Sequence, residues 1–329
     1  MSKIEVSRRA AFALAGTGLA AAFSTRVLGP VAAHAKQPLS TAKPAGFYHH
    51  TLGDMQVSII SDGPLGFGDG RKLMKEQTME EMAKRLEANF LPADNMVLEQ
   101  NITVVNTGSK LAIIDTGMGA SKMFGENQGR LPANLKAAGI DPAAIDAVIL
   151  SHCHPDHAGG LVDAAGKSVF PNAAVYVNET DFKFWTDEKN LENKDLKPFI
   201  ELARANLLPH KDKITFIKGG QEVITGITAM DAPGHTLGHT IFMVSSGGKT
   251  LAVTADVGHH YVLMTETPKI EFVYDMDSKM AVATRLKVWD MLATDKIPFI
   301  GFHFPWPGLG NIGKTGNESY RYFATPVNT

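Results

Sequence analysis

The sequence predicts an α/β (α+β) fold, an αββα sandwich in which two mixed β-sheets pack face to face with helices outside. Short apolar runs bounded by Gly, Asn or Asp recur along the chain and indicate strands. Segments with helical spacing of apolar residues lie between these strands in both halves. The 329 residues are 44% hydrophobic and 20% charged, which is enough to bury a sizeable core.

Residues 1–35 are predicted to be an export signal rather than part of the fold. Arg8 and Arg9 precede an apolar stretch, Ala10–Phe23, and small residues follow up to Ala35. This order is typical of a cleaved signal peptide, and the paired arginines favour the twin-Arg route over the general secretory route. The stretch is 14 residues long, shorter than the roughly 20 that span a bilayer.

Residues 36–46 contain Pro and Ala and are predicted to be a linker. Residues 47–329 are expected to form a single domain, since no second linker divides them. Because residues 1–35 are predicted to be an export signal, we expect a periplasmic or secreted protein without stable membrane insertion. The apolar tail, Tyr320–Val327, is a candidate either for a homodimer interface or for packing on its own domain.

In the first half of the chain, predicted strands are interspersed with predicted helices. The predicted strands are Val57–Ile60, Ile102–Val105, Leu111–Ile114 and Asp146–Leu150, and the predicted helices are Met79–Phe90 and Leu131–Ala138. The second helix begins with Pro132 in its first turn and ends at Gly139, as helices commonly do.

The second half repeats the alternation. The predicted strands are Ala174–Val177, Ile214–Ile217, Glu222–Ile224, Ile227–Asp231, Thr240–Val244, Thr250–Thr254 and Ile297–Gly301, and the predicted helices are Glu179–Trp185 and Met280–Leu292. Gly247 and Gly248 provide the turn between two of these strands.

Composition excludes several functional classes. Lys and Arg number 32 against 34 Asp and Glu, so no strong positive field favours nucleic acid. Cys153 is the single cysteine, which excludes an intramolecular disulfide and any metal site of several thiolates. The 12 His residues are the more promising metal ligands.

Four of the candidate ligands are crowded into one short segment. His152, His154, Asp156 and His157 follow the buried strand that ends at Leu150. In an extended loop His152 and His154 face the same side. Imidazole and carboxylate groups suit zinc, and also iron, manganese or cobalt, and this cluster is dense enough for two cations a few ångströms apart.

Three further segments each place a His or Asp after a predicted strand and beside small residues. They contribute His235, Asp256 and His303.

This ordered set, HxHxDH followed by Gly-His, a strand-terminal Asp and a last His, resembles the metallo-β-lactamase superfamily. The early Asp115-Thr116-Gly117 turn is also similar. The resemblance implies two divalent metal ions, most simply zinc. It implies that one ion is held by three histidines, the other by the remaining His and Asp side chains, and that a carboxylate bridges them. The first set is His152, His154 and His235, the second is Asp156, His157 and His303, and the bridge is Asp256.

Within the superfamily, an Asp at the bridging position departs from true β-lactamases. Several segments, including Ser151–Gly160 and Phe302–Gly310, resemble the methyl parathion hydrolase group. That likeness implies substrate contacts from three aromatic residues, Phe124, Trp185 and Phe199. His259 follows Asp256 closely and is a further candidate for the pocket.

The predicted function is hydrolysis by a hydroxide held between two metals, acting on a lactone, an aryl ester or a phosphotriester. Asp156 and Asp256 would hold the metals and orient the nucleophile. A small, neutral, apolar or aromatic substrate is expected. The alternatives are a phosphotriesterase specialised for organophosphates and a non-hydrolytic iron oxygenase of the same fold.

The other candidate side chains receive structural interpretations. Cys153 is expected to be buried and turned away from the metals. His239 is expected to support the site without binding metal. His49, His50 and His210 are expected at the surface.

Overall fold

The computed structural model describes residues 44–326. The predicted export signal and almost all of the predicted linker lie outside the described residues. Within them, the two-sheet prediction is confirmed: two seven-stranded mixed sheets are accompanied by helices.

The first sheet has the order β1-β2-β6-β7-β8-β9-β10. Its strands are Phe47–Leu52 (β1), Met55–Ser61 (β2), Asn101–Asn106 (β6), Leu111–Ile114 (β7), Ala147–Ile149 (β8), Ala174–Asn178 (β9) and Ile214–Ile217 (β10). The first four strands pair antiparallel and the last four run parallel.

The second sheet has the order β11-β12-β13-β14-β16-β17-β18. Its strands are Glu222–Ile224 (β11), Ile227–Asp231 (β12), Thr240–Ser246 (β13), Lys249–Ala255 (β14), Phe299–Gly301 (β16), Leu309–Gly316 (β17) and Ser319–Ala324 (β18). Only β14 and β16 pair in parallel. Two small sheets join Leu65–Gly66 (β3) to Val97–Leu98 (β5), and Met74–Lys75 (β4) to Glu271–Phe272 (β15).

Seven α-helices accompany these sheets in the described part of the chain. They are Met79–Ala88 (α1), Leu131–Ala137 (α2), Pro155–Ala158 (α3), Glu179–Thr186 (α4), Lys197–Leu207 (α5), Leu263–Glu266 (α6) and Ser278–Thr294 (α7).

Apolar side chains of both large sheets form one shared core. Val57 and Ile114 of the first sheet pack in the same cluster as Phe242 and Val253 of the second. Burying these faces removes apolar area from water, which is the main favourable term in folding. The core therefore fixes how the two sheets face each other, and with it the strand ends that carry the candidate ligands.

The outer faces are covered by helices. In α7 the buried positions are Ala281, Arg285, Val288, Trp289 and Leu292, the spacing that places residues on one helix face. Trp289 packs against Phe299 of β16 in a second cluster. On the first sheet, Leu135 of α2 and Ile200 of α5 belong to a third cluster.

Some elements differ from the sequence prediction. Helix α1 ends at Ala88, and Phe90, which the prediction placed on its apolar face, is 97% exposed with a positive φ. The His-rich segment is not wholly an extended loop, because Pro155 begins the short helix α3. The tail strand β18 pairs with β17 at the edge of the second sheet.

The surface prediction for His210 is wrong, since this residue is 4% exposed. Its Nδ1 lies 2.9 Å from the Asn206 carbonyl oxygen and its Nε2 lies 3.0 Å from Ser168 Oγ. The imidazole therefore connects the last turn of α5 to the loop that contains Ser168. Over residues 44–326, no helix combines the length and apolar character needed to cross a membrane.

Candidate metal centre

The candidate ligands lie at the carboxyl ends of neighbouring strands. The segment 152–157 follows β8, and His235, Asp256 and His303 follow β12, β14 and β16. Strands β12, β14 and β16 run in the same direction, because β13 reverses the chain twice and β14 is parallel to β16. Side chains distant in sequence are thereby brought to one edge of the sandwich.

Four of these side chains form a first group, His152, His154, His235 and Asp256. His154 Nδ1 lies 2.9 Å from His235 Nε2, and Asp256 Oδ2 lies 3.2 Å from His235 Nε2 and 3.8 Å from His152 Nε2. Two ligand atoms that are each about 2.1 Å from a tetrahedral zinc are roughly 3.4 Å apart. The spacing of this group therefore fits one divalent cation.

A second group consists of Asp156, His157, Asp256 and His303. Asp156 Oδ2 lies 3.5 Å from His157 Nε2 and 3.3 Å from His303 Nε2. Asp256 belongs to both groups, with Oδ1 3.2 Å from His157 Nε2 and Oδ2 3.3 Å from His303 Nε2. One carboxylate thus faces two ligand sets, as a bridging ligand must.

Buried polar atoms without partners support the same interpretation. Nε2 of His152, Nε2 of His157 and Oδ1 of Asp256 are buried and make no hydrogen bond. His157 Nε2 and Asp256 Oδ1 are near each other, but not in hydrogen-bond geometry. Leaving such groups unpaired costs about 1–3 kcal/mol each. Metal coordination would satisfy all three, so these residues fit two divalent cations.

Asp115 anchors two of the imidazoles from behind. Its carboxylate accepts hydrogen bonds from the Ser151 amide and hydroxyl, each at 2.8 Å, and lies 2.8 Å from His157 Nδ1. Ser151 Oγ lies 3.0 Å from His152 Nδ1. Contacts of this kind fix the ring orientation and leave the Nε2 atoms of His152 and His157 for a metal.

The remaining ligands have their own supports. His235 Nδ1 lies 2.9 Å from Asp275 Oδ1, and His303 Nδ1 lies 2.8 Å from the Glu99 carbonyl oxygen. The Asp256 amide donates to His239 Nε2 at 3.1 Å, while His239 Nδ1 faces the Ala232 carbonyl. His239 therefore supports the backbone of Asp256 and belongs to neither ligand group.

The carboxylates control the charge of the buried imidazoles. Burial acts to lower the pKa of His235, but Asp256 and Asp275 raise it to about 9. Burial likewise opposes the charge on His303, whose pKa is raised to about 9 by Asp256 and Asp156. For His239, burial dominates and lowers the pKa to about 3. His239 is therefore a neutral hydrogen-bonding group at neutral pH.

A compact cavity of about 30 Å³ opens on the ligand groups, which is room for roughly two water molecules. Its wall is mostly apolar and aromatic. The residues other than the candidate ligands are Leu65, Phe67, Leu98, Phe124, Phe199, His259, Phe272 and Tyr274. A larger cavity of about 430 Å³ shares the walls His154, Phe199 and Tyr274 and extends the space away from the centre.

Of the predicted pocket residues, Phe124, Phe199 and His259 line the compact cavity. Phe124 and Phe199 belong to an aromatic cluster with ring centroids 6.2 Å apart. His259 Nε2 lies 3.1 Å from Asp256 Oδ2, and its ring stacks on Phe272. Trp185 is fully buried behind His154 and borders only the larger cavity. Their contact with a substrate stays a prediction.

Several residues of this region are not among those predicted from the sequence. Phe67 and Tyr274 complete the aromatic wall, and Asp275 supports His235. Asp62 accepts hydrogen bonds from the amides of Met118, Gly129 and Leu131, and so fixes the loop that carries Phe124. The only sequence signal was the pair of glycines around Phe67. Cys153 is buried as expected, and burial raises the pKa of its thiol.

Comparison with known proteins supplies independent findings. A family model described as the Metallo-beta-lactamase superfamily matches residues 96–298. The N-acyl homoserine lactonase AiiA of Bacillus thuringiensis subsp. kurstaki is 26% identical over 165 residues. That alignment covers 45% of this chain and 59% of the relative, so this chain matches less than two thirds of the relative's length.

Two solved structures are similar over most of the chain. The first is "AidC, a Dizinc Quorum-Quenching Lactonase, in complex with a product N-hexnoyl-L-homoserine", at a TM-score of 0.81 and 30% identity, covering 86% of this chain and 99% of that one. The second is hydrolase AbOPH in the beta lactamase superfamily, at a TM-score of 0.81 and 28% identity, covering 88% of this chain and 100% of that one.

Proposed function

Since the chain belongs to the metallo-beta-lactamase superfamily, we propose that it is a two-metal lactonase that opens small acyl-substituted lactones. The observation that carries this proposal is the pair of ligand groups that share Asp256 beneath an apolar, aromatic cavity. The lactonase names of AiiA and AidC support the lactone as substrate class.

The proposed ligands are three histidines for one ion, the other His and Asp side chains for the second ion, and Asp256 for both. They are His152, His154 and His235, then Asp156, His157 and His303. When bound, two divalent cations supply a Lewis acid for the carbonyl oxygen and make water nucleophilic near neutral pH. Zinc is the proposed metal, because imidazole and carboxylate groups suit it.

The protein's own groups would position the reactants. As ligands, Asp156 and Asp256 would hold the metals and so orient the nucleophile. Phe124 and Phe199 cover the cavity, which excludes bulk water and favours a neutral substrate. His259, stacked on Phe272 and held by Asp256, is placed to contact the lactone ring or the alkoxide that leaves it.

The two cavities suggest how a substrate with a small ring and a longer chain would lie. The compact cavity borders the metal ligands and would take the lactone ring. The larger cavity, with Leu196, Val273 and Met276 in its wall, would take an acyl chain. His154, Phe199 and Tyr274 border both cavities, so the bond that joins the ring to the chain would lie among them. Because the compact cavity has room for roughly two water molecules, the aromatic wall would have to move to admit the ring.

A phosphotriesterase is the second candidate. The aromatic cluster of Phe67, Phe124, Phe199 and Tyr274 would also suit the aryl leaving group of an organophosphate or an aryl ester. The resemblance to the methyl parathion hydrolase group favours the same chemistry. We propose that these activities are secondary to lactone opening.

The test compares kcat/KM of the zinc-loaded protein on N-hexanoyl-homoserine lactone, a p-nitrophenyl ester and a dialkyl aryl phosphotriester, with a chelated sample as control. We expect the lactone to be preferred at least tenfold, about 1.4 kcal/mol of transition-state stabilisation. Preference for the phosphotriester would favour the second candidate. No turnover above the control would contradict both and favour the iron oxygenase alternative.

We also propose that residues 1–35 direct export to the periplasm or beyond. Arg8, Arg9 and the apolar run after them support this proposal. Expression of the full chain in a Gram-negative host should give a periplasmic product whose first residue is Lys36. An Arg8→Lys, Arg9→Lys variant should stay uncleaved in the cytoplasm if the twin-Arg route is used, and normal processing would indicate the general secretory route.

A further inference from the structure

The guanidinium of Arg285 is fully buried on the inner face of α7 and takes no part in the proposed chemistry. Its Nε donates to the Val257 carbonyl oxygen at 2.7 Å. Its Nη1 donates to the carbonyl oxygens of Pro268 and Ile270, at 2.8 and 2.6 Å. One side chain therefore joins the peptide that follows Asp256 to the loop between α6 and α7.

The same guanidinium approaches a carboxylate that touches a proposed ligand. Arg285 Nη2 lies 3.7 Å from Asp275 Oδ2 and has no hydrogen-bond partner of its own. Asp275 Oδ1 lies 2.9 Å from His235 Nδ1, and the Asp275 side chain is fully buried. An ion pair and a hydrogen bond thus link Arg285 of α7, through Asp275, to the imidazole of His235.

Backbone hydrogen bonds hold the two loops in register. The Met276 amide donates to the His235 carbonyl oxygen at 3.0 Å, and the Asp277 amide donates to the Gly234 carbonyl oxygen at 2.9 Å. Thr284 Oγ1 of α7 donates to the Pro233 carbonyl oxygen at 2.6 Å. Asp275 therefore meets His235 in a fixed geometry rather than by the chance position of a mobile side chain.

We propose that Asp275 is the positioning residue of His235, and that Arg285 holds Asp275 in place for this task. The inference rests on the proposed two-metal centre. A carboxylate that accepts from Nδ1–H fixes the tautomer, so the lone pair of His235 Nε2 points to the metal, and makes that nitrogen a better donor. The contact with Asp275 supports a ligand of the first group. In the second group, Asp115 supports His157 and the Glu99 carbonyl supports His303.

A role in folding alone explains these contacts less well. Burying a guanidinium and a carboxylate carries a large desolvation cost, and apolar residues of similar size are often at least as stabilising. The three carbonyl contacts alone would fasten the loops together. The carboxylate adds a charge that is directed at one ligand, which is the expected arrangement around a metal-binding histidine.

The test measures zinc affinity without substrate, by titrating the metal-free protein with zinc against a chromophoric chelator. Asp275→Ala is expected to weaken one of two zinc sites by about 10- to 100-fold and to leave the other unchanged. Asp277→Asn is the matched control, because it removes the same charge from the same loop. Its side chain accepts only from the Met280 amide, and Asn caps a helix as well as Asp.

Asp275→Asn answers the question if Asp275→Ala does not fold, because the amide oxygen still accepts a weaker, uncharged hydrogen bond. We expect about a tenfold loss at the same site. Arg285→Lys keeps the charge but cannot reach all its partners, and should weaken the same site. Wild-type affinity at both sites in the Asp275 variants would overturn the inference. Failure of the wild-type protein to bind zinc would instead overturn the proposed function.

Discussion

Four of the five candidate imidazoles, those of His152, His157, His235 and His303, are held on one ring nitrogen so that the other is free for a metal. Asp115, Asp275 and the Glu99 carbonyl provide three of these supports. Asp256 differs from the histidines because its two oxygens face both ligand groups. Both proposed sites therefore depend on Asp256.

Asp256→Ala is predicted to abolish lactone hydrolysis and to lower the bound zinc below two ions per chain, because both ligand groups lose an oxygen. Turnover and metal content are measured on the same purified sample. Asp290→Ala, which removes an exposed carboxylate paired with Lys314, is the control and should keep both. Full turnover with two metals in Asp256→Ala would show that the centre is assigned wrongly.

Asp62 predicts a pH effect on stability. Burial raises its pKa from 3.8 to about 6, although the amides of Met118, Leu131 and Gly129 oppose the change. The pKa of Asp62 is higher in the folded state than in the unfolded state. The protonated carboxyl therefore contributes fully to the free energy of unfolding below about pH 4, and this contribution is lost as the pH rises through about 6. The loss is on the order of 3 kcal/mol.

Urea unfolding of the metal-free wild type and of Asp62→Asn, at pH 4.5, 6 and 7.5, measures this contribution. The stability of the wild type relative to the variant should fall between pH 4.5 and 6 and then level off. The metal-site histidines titrate in both proteins, so their effect cancels. A stability difference that is constant with pH would disprove the raised pKa.

At the scale of elements, the strand ends determine where the ligands lie, and the loops after them determine how they point. The loop after β12 carries His235 and passes close to α7. Gly234 has a φ of +131° there, and a Cβ on it would collide with the backbone of Ala281. Only glycine allows this approach, since other residues rarely adopt such a φ.

Gly234→Ala is predicted to lower stability by about 3 kcal/mol or more, since neither backbone can move without disturbing His235. Gly139→Ala is the matched control. Gly139 also has a positive φ, of +73°, but the space around it is open. Its substitution therefore measures only the cost of holding an alanine at a positive φ, about 1–2 kcal/mol. Equal losses in thermal or urea unfolding of the two variants would exclude the collision.

Many of the strands, and the candidate ligands that follow them, could be predicted from the sequence. The strands from Leu111 to Ile114 and from Ile214 to Ile217 have the predicted bounds, because charged residues stand directly before and after each run. The HxHxDH segment and the three later candidate ligands were predicted for the same reason. Each is a polar residue placed shortly after the end of an apolar strand.

Other elements gave no such signal. Strand β17 contains Gly310, Gly313 and Gly316 and is stabilised by pairing with β16 and β18 rather than by an apolar pattern. Tyr274 and Asp275 lie in a loop without periodicity, and their roles depend on contacts with Phe124 and His235. Such residues become functional only through tertiary contacts, which a local pattern does not contain.

At the scale of the whole molecule, two sheets of different connectivity meet so that one edge of the sandwich carries all the ligands. The shared core between the sheets fixes this edge, and separate loops close an aromatic wall over it. A formal charge of −2 and the apolar wall favour a small neutral substrate over a polyanion. The arrangement fits a metal-dependent hydrolase with two divalent cations.

The measurement that tests this account most directly is lactone turnover during stepwise return of zinc to the chelated protein. If the two metals share one centre, N-hexanoyl-homoserine lactone is not hydrolysed without metal, and the rate rises to a plateau at two zinc ions per chain. Turnover that survives complete chelation, or that reaches its plateau at one ion, would contradict a shared two-metal centre.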